Sequence, residues 1–338
     1  MQKIISIQIL RGLAALLVVT FHCLATVIPD RLSAGESPIL GAAGVDIFFV
    51  ISGFVMWVST IQRPATPAHF LLARFVRVAP LYYLATLVYL GILALQARIP
   101  AAFSVNEVLY SLLFIPFTNS IVHQDVPILG VGWTLNYEAL FYLTFGIALH
   151  ISHASHRAGF IALTFFCLVA GRFWLPSDTP LLVRFTSPLF FEFFAGILIA
   201  ARYLATNKRR PVSGVLLAFA GVVLLGLVPV YAPWLPRTIA WGGPASMIVC
   251  GVVECEALLR GPRWRPMLLL GNASYSIYLV HDIVLDLLTS TVLPHLDVWL
   301  FFPPALLLSV VLGVAVYHLV EAPLLRAMRQ GLGHPRLH

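Results

Sequence analysis

Apolar residues gather into ten long runs separated by short polar stretches, roughly 7–28, 39–61, 79–97, 133–151, 158–175, 187–204, 212–231, 238–259, 267–290 and 300–321. Each is near the ~20 residues that a helix needs to cross the hydrocarbon core of a bilayer. A further apolar piece, about 105–117, is too short to span and contains Pro116. It reads as a re-entrant or interfacial helix, tolerable if packed against protein. The expected fold is an all-α integral membrane protein of about ten transmembrane helices plus that short helix. No polar stretch is long enough for a second domain, so one membrane domain is expected over 1–338. The chain ends about seventeen residues past the last run, so no fused soluble domain is expected.

Composition agrees. The 338 residues are 60% hydrophobic and 10% charged, against about 25% charged in soluble domains. The net charge of +7 would suit nucleic acid only if the basic residues formed a face. They sit instead at the ends of apolar runs, where the positive-inside rule puts them, so no nucleic-acid partner is expected. Cys23, Cys167, Cys250 and Cys255 all fall inside apolar runs without metal or redox spacing, and read as small core residues. The first run resembles a signal peptide, but it is long and lacks a small-x-small cleavage site, so it reads as a retained anchor.

Charge also orients the chain. With the amino terminus in the cytoplasm and 105–117 not crossing, sixteen Lys and Arg lie inside and five (Arg31, Arg98, Arg172, Arg184 and Arg237) lie outside. Both termini are then cytoplasmic. No internal repeat is visible, which speaks against a transporter built from inverted halves.

Polar groups inside the runs carry the candidate chemistry. Arg11 and His22 in "RGLAALLVVTFH" are eleven steps apart, within roughly 20° of one helical face and ~16 Å apart along the axis. His22, Asp46, Glu138 and Glu192 fall at similar depth, ~8–10 Å below the expected outer ends of four spans. His281 and Asp282 share that outer half. Intramembrane ionisable residues are functional by default, and a histidine beside a carboxylate is the usual construction of a general base. Near the inner side, Arg74 and Arg77 share one helical face and join Arg11. They read either as topology anchors or as forks for phosphates, with a phosphate-bearing head held inside and its thioester reaching His22.

The same residues resemble the acyltransferase 3 family along essentially the whole chain. The match is carried by Arg11 with His22, "GVDIFFVISGFVM", "RFVRVAPLYY", "GWTLNYEALFY" with Trp133 and Glu138, "GNASYSIYLVH" with Ser274, Tyr275 and His281, and the closing "VEAPLLR". "WGGPASMIVCGVVECE" further resembles the exopolysaccharide-modifying branch. The resemblance implies a bacterial inner-membrane enzyme that transfers an acyl group, usually acetyl, from cytoplasmic acyl-CoA. The acceptor would be a hydroxyl on an envelope glycan or lipid-linked sugar. His22 is implied as the essential base and Arg11 as its partner motif.

The expected catalytic set is therefore His22 with Asp46 as its orienting carboxylate, and Glu138. Arg11, Arg74 and Arg77 would hold the donor, and Trp133, Glu192, Ser274, Tyr275 and His281 would support the site. Acyl-CoA enters as co-substrate, with no permanently bound cofactor and no metal. Membrane lipids and polysaccharide assembly proteins complete the expected partners. "HISHASHR" lacks an accompanying carboxylate or cysteine and reads as a solvated loop. Asp282 and Asp286 read as a packing pair or a proton path, and Glu321 as a cap or a partner of Arg326. A transporter or flippase is the rival class, since it too places His and carboxylates at mid-membrane.

Overall fold

Backbone N–H and C=O groups have no water to bond inside a bilayer, so a spanning chain must close its hydrogen bonds within helices or a closed barrel. The computed structural model describes residues 4–27, 40–175, 178–206, 208–292 and 297–331. Lys3, Arg31 and Arg336, three of the charges counted above, lie outside them. Among the described residues the chain is helical, and its one β-like feature is an isolated bridge between Asn119 and Gln124.

The helices are α1 (Ile5–Val27), α2 (Ala43–Gln62), α3 (Pro67–Leu95), α4 (Val105–Leu112), α5 (Trp133–Ala148), α6 (Ala154–Gly171) and α7 (Pro180–Phe185). They continue as α8 (Phe190–Ala205), α9 (Pro211–Tyr231), α10 (Gly243–Glu254), α11 (Arg265–Thr291), α12 (Val298–Val316) and α13 (Ala322–Gly331). Eight helical segments are long and apolar enough to cross a membrane. The other two expected spans are shorter: α5 has 16 residues, and α10 with its preceding π-turn covers Thr238–Glu254.

Local chemistry sets the helix ends. Thr66 caps α3, accepting from the His69 amide at 3.3 Å, with Pro67 in the first turn where a missing N–H costs nothing. The first amides of α1, at Ile5 and Ser6, donate to the Glu256 carboxylate at 2.9 and 2.8 Å. A carboxylate there answers both the orphan amides and the positive end of the helix dipole. Helix α4 opens with a Ser104–Glu107 capping box. At eight residues it is ~12 Å long, too short to cross.

The segment around α4 leaves and returns at one end of the bundle. Arg98, before it, pairs with Asp286 at 2.6 Å, and the Val131 amide, after it, meets Asp282 at 3.4 Å. Both carboxylates belong to the last turns of α11, so 99–129 does not cross. Parity agrees: Arg11 meets Ser274 and His22 meets His281, so α1 and α11 run parallel. Seven alternating spans between them give that result, and an eighth would reverse it.

Helix α2 is the hub, with 78% of its apolar window buried against 17% for α9. It touches α8 backbone to backbone. A Cβ on Gly53 would stand 1.9 Å from the Phe193 carbonyl oxygen, and one on Gly196 2.0 Å from that of Val50. Small residues allow such approach where no hydrophobic effect drives helices together. Around this crossing Phe49, Phe193 and Phe141 stack with centroids 4.6 and 4.5 Å apart, filling the space between α2, α5 and α8.

Gly53→Ala should therefore destabilise the protein by about 1–3 kcal/mol through overpacking. Gly91→Ala, on α3 with nothing within 4 Å of its added methyl, should be neutral or stabilising by up to about 1 kcal/mol. Thermal unfolding of the two variants in detergent checks the contrast.

Candidate active site

Helices α1, α2, α3, α5 and α11 part around a cavity of roughly 820 Å³, some of it open to the surroundings. Its wall along α2 runs from Val45 to Met56, ~16 Å at 1.5 Å per residue. Arg11, Arg74, Arg77 and Glu138 supply charge, and Ser52, Tyr142, Ser274 and Tyr275 supply hydroxyls. The three arginines expected to act together do share one cavity, joined by the expected Ser274 and Tyr275.

Each group is held. The Arg11 guanidinium donates to Ser274 Oγ at 3.0 Å. Arg77 forms an ion pair with Glu321 and lies over the Tyr275 ring, 5.3 Å from its centroid. Tyr275 donates in turn to the Val78 carbonyl at 2.7 Å. Glu321 ends a π-turn, Tyr317–Glu321, and also accepts from Ser276 Oγ at 2.5 Å. Its expected partner was Arg326 or a helix end, but the turn swings it inward to Arg77. π-Turns of this kind recur at functional sites.

Glu138 departs from its expected place. It does not join His22 but lies in the arginine cavity, accepting from Tyr142 at 2.9 Å and from Ser52 at 3.4 Å. Tyr142 lies four residues on, one turn along α5, so helical spacing could have announced that bond.

The cavity ends at Thr134 and Tyr278. Tyr278 donates to the Val131 carbonyl at 2.7 Å and meets Thr134 Oγ1 at 2.9 Å. Beyond it stand two histidines, with the His281 ring centroid 5.9 Å from that of Tyr278 and 4.9 Å from that of His22. His22 Nδ1 lies 2.9 Å from the Val18 carbonyl, and His281 Nδ1 lies 3.2 Å from the Ile277 carbonyl. A carbonyl only accepts, so both Nδ1 atoms carry hydrogen and both neutral rings leave Nε2 bare. His281 Nε2 is spent on His22 Nδ1 at 3.3 Å. His22 Nε2 keeps its lone pair, as a base requires.

Asp46 is not beside His22. It is fully buried and pairs with Arg237, accepting at 2.8 and 3.2 Å. The sequence matched the two residues by depth, but depth does not fix which way a side chain faces around its helix. Glu192 is buried within electrostatic reach of Asp46 and Arg237, and neither of its carboxylate oxygens makes a hydrogen bond among the described residues. Arg237 also lies over Trp241, centroid 4.7 Å, and over Trp133, 6.0 Å, while Arg184 covers Trp133 from 5.3 Å. Trp133 thus packs between two arginines, and Arg237, assigned from sequence to an outer loop, is the counter-charge that depth could not reveal. Asp282 and Asp286 do not pair with each other: Asp282 meets the Val131 amide and Asp286 pairs with Arg98.

The family profile described as "Acyltransferase domain" matches residues 4–318. The exopolysaccharide production protein ExoZ of Rhizobium meliloti (strain 1021) is 35% identical over 86% of this chain and 91% of its own. Nodulation protein 10 of Rhizobium leguminosarum bv. viciae is 26% identical over 85% of this chain and 83% of its own. BcsY of Komagataeibacter xylinus, whose name describes a membrane-bound transacylase, is 29% identical over 80% of this chain and 70% of its own. No solved structure gives a significant match.

Removing one partner of a buried ion pair strands the other. Arg237→Gln should accordingly cost about 3 kcal/mol of stability, and adding Asp46→Asn should recover part of the loss. Unfolding of the single and double variants in detergent measures both.

Proposed function

The chain belongs to the acyltransferase 3 family and is a multi-pass membrane acyltransferase, and from that premise we propose that it moves an acyl group, acetyl in the simplest case, from acyl-CoA to a hydroxyl of an exported glycan or lipid-linked sugar. The observation that carries the reading is the arrangement of the cavity. Three arginines line it, and it ends at Tyr278, next to the histidine pair. Arginine forks suit the phosphates of CoA. From Arg11 to His22 is ~16 Å along α1, comparable to the reach of a pantetheine arm.

His22 is then the base. Its Nε2 takes the proton of the acceptor hydroxyl while the oxygen bonds to the acyl carbon. The carbon–sulfur bond breaks, and the leaving thiolate takes the proton from His22, so CoA departs as the free thiol. Only the acyl group crosses from one side to the other, and a water-poor passage limits hydrolysis of the thioester. The name of ExoZ supports an exopolysaccharide as the acceptor. The excess of basic residues at the end where α1 begins supports a bacterial inner-membrane location with both termini and the donor site in the cytoplasm. Polysaccharide assembly proteins are then natural partners on the far side.

General base catalysis contributes typically 10²–10⁴-fold, so His22→Ala in correctly inserted protein should leave near-background transfer. Normal acylation by that variant would remove His22 from the mechanism. Arg74→Glu should weaken acyl-CoA binding, measured by titration of the purified protein, whereas Gln62→Ala, exposed at the end of α2, should leave it unchanged. If reversal at both Arg74 and Arg77 leaves binding intact, the two are topology anchors only.

A further inference from the structure

We propose that His281 is the positioning residue of His22, filling the place that a carboxylate holds behind most histidine bases. The inference rests on the reading of His22 as base and concerns what holds that base in its working form.

The carboxylates near enough to be considered are otherwise engaged. Asp46 is bonded to Arg237, and Asp282 bonds the Val131 amide, though it remains in electrostatic reach of His22. What faces His22 Nδ1 is the Val18 carbonyl at 2.9 Å and His281 Nε2 at 3.3 Å. His281 is fully buried, and its own Nδ1–H is committed to the Ile277 carbonyl. Its Nε2 therefore has one role open, to accept from His22 Nδ1–H. The two acceptors together fix His22 in the tautomer with Nε2 bare and fix the plane of its ring.

A neutral partner has a physical advantage at this depth. A carboxylate behind His22 would be an ion buried beside a neutral ring in the resting enzyme, which is costly in a low dielectric. His281 adds no resting charge. When His22 takes the acceptor's proton at Nε2, its Nδ1–H bond to His281 becomes charge-assisted and strengthens. Stabilisation therefore grows as the transition state is approached, which raises kcat rather than substrate affinity. The seam between α1 and α11 supplies the precision. A Cβ on Gly271 would stand 1.9 Å from the Gln8 carbonyl oxygen, so the two backbones meet directly and leave little slack in the register.

The test uses the purified protein with acetyl-CoA and an excess of a soluble oligosaccharide as the hydroxyl acceptor, reading acceptor-dependent free thiol release, and compares His281→Leu, His281→Gln, His22→Ala and the His22→Ala/His281→Leu double variant. Leucine removes the acceptor. Glutamine restores an amide oxygen near the place of Nε2. The expected result is a roughly 10–100-fold fall in kcat for His281→Leu, with the KM for acetyl-CoA unchanged, the size expected for one lost buried hydrogen bond. His281→Gln should recover most of that fall. The double variant should be no slower than His22→Ala alone, because the two residues act as one unit. Unchanged kcat in His281→Leu, an effect on KM alone, or equal losses in the leucine and glutamine variants would overturn the proposal. Full activity in His22→Ala would instead overturn the reading of His22 as base, so the two failures are distinguishable.

Discussion

The close crossing of α1 and α11 is the contact on which the site depends. Where these helices meet there is no room for a side chain: Gly271 faces the Gln8 carbonyl, and Gly12 faces the backbone of Met267 and Gly271. Lipid supplies no hydrophobic force to press helices together, so tight packing and interhelical hydrogen bonds must hold them. The crossing secures both. One side of it brings Arg11 to Ser274 at 3.0 Å, and farther along the same seam His22 reaches His281 at 3.3 Å. The two polar groups of the first helix, on one stripe at two depths, thus find their partners on a single neighbouring helix.

A second constraint, the cost of a bare ion away from water, pairs four of the carboxylates with arginines. Asp46 is matched by Arg237, Glu321 by Arg77, Asp286 by Arg98 and Glu254 by Arg202. Arg77 is shared between its structural pair and the cavity wall. Glu138 lies among the cavity arginines with bonds from two hydroxyls. The arrangement leaves a cavity with arginines and one carboxylate on its wall and a histidine pair beyond its far end, the distribution that a phosphate-headed thioester and a hydroxyl acceptor would each require.

Much of this is legible in the sequence, for reasons that also set its limits. Hydropathy reports what each segment is surrounded by, so the spans and the non-crossing segment around α4 follow from it directly. Arg74 and Arg77 are three residues apart and must share a face, and their union with Arg11 needs only neighbouring helices. Depth along a helix is readable too, but rotation about the helix axis relative to a distant neighbour is not. That is why Asp46, matched to His22 by its expected depth, faces Arg237 instead. Glu138 lies deeper than expected, level with Ser52 and among the cavity arginines. Arg237 lies 191 residues from Asp46, and no local spacing connects them. Glu321 turns toward Arg77 because of a π-turn, a one-residue departure from helical periodicity that its sequence does not announce.

The central claim is that an acyl group passes through this bundle from a donor at one end to an acceptor at the other. Inside-out and right-side-out vesicles of bacterial inner membrane carrying the protein test it most directly, with membrane-impermeant acetyl-CoA, labelled in the acetyl group, added from outside. The account predicts label on glycan enclosed in the lumen of inside-out vesicles, and none on glycan when the same donor meets right-side-out vesicles. Equal labelling in the two preparations, or labelling in right-side-out vesicles alone, would contradict it.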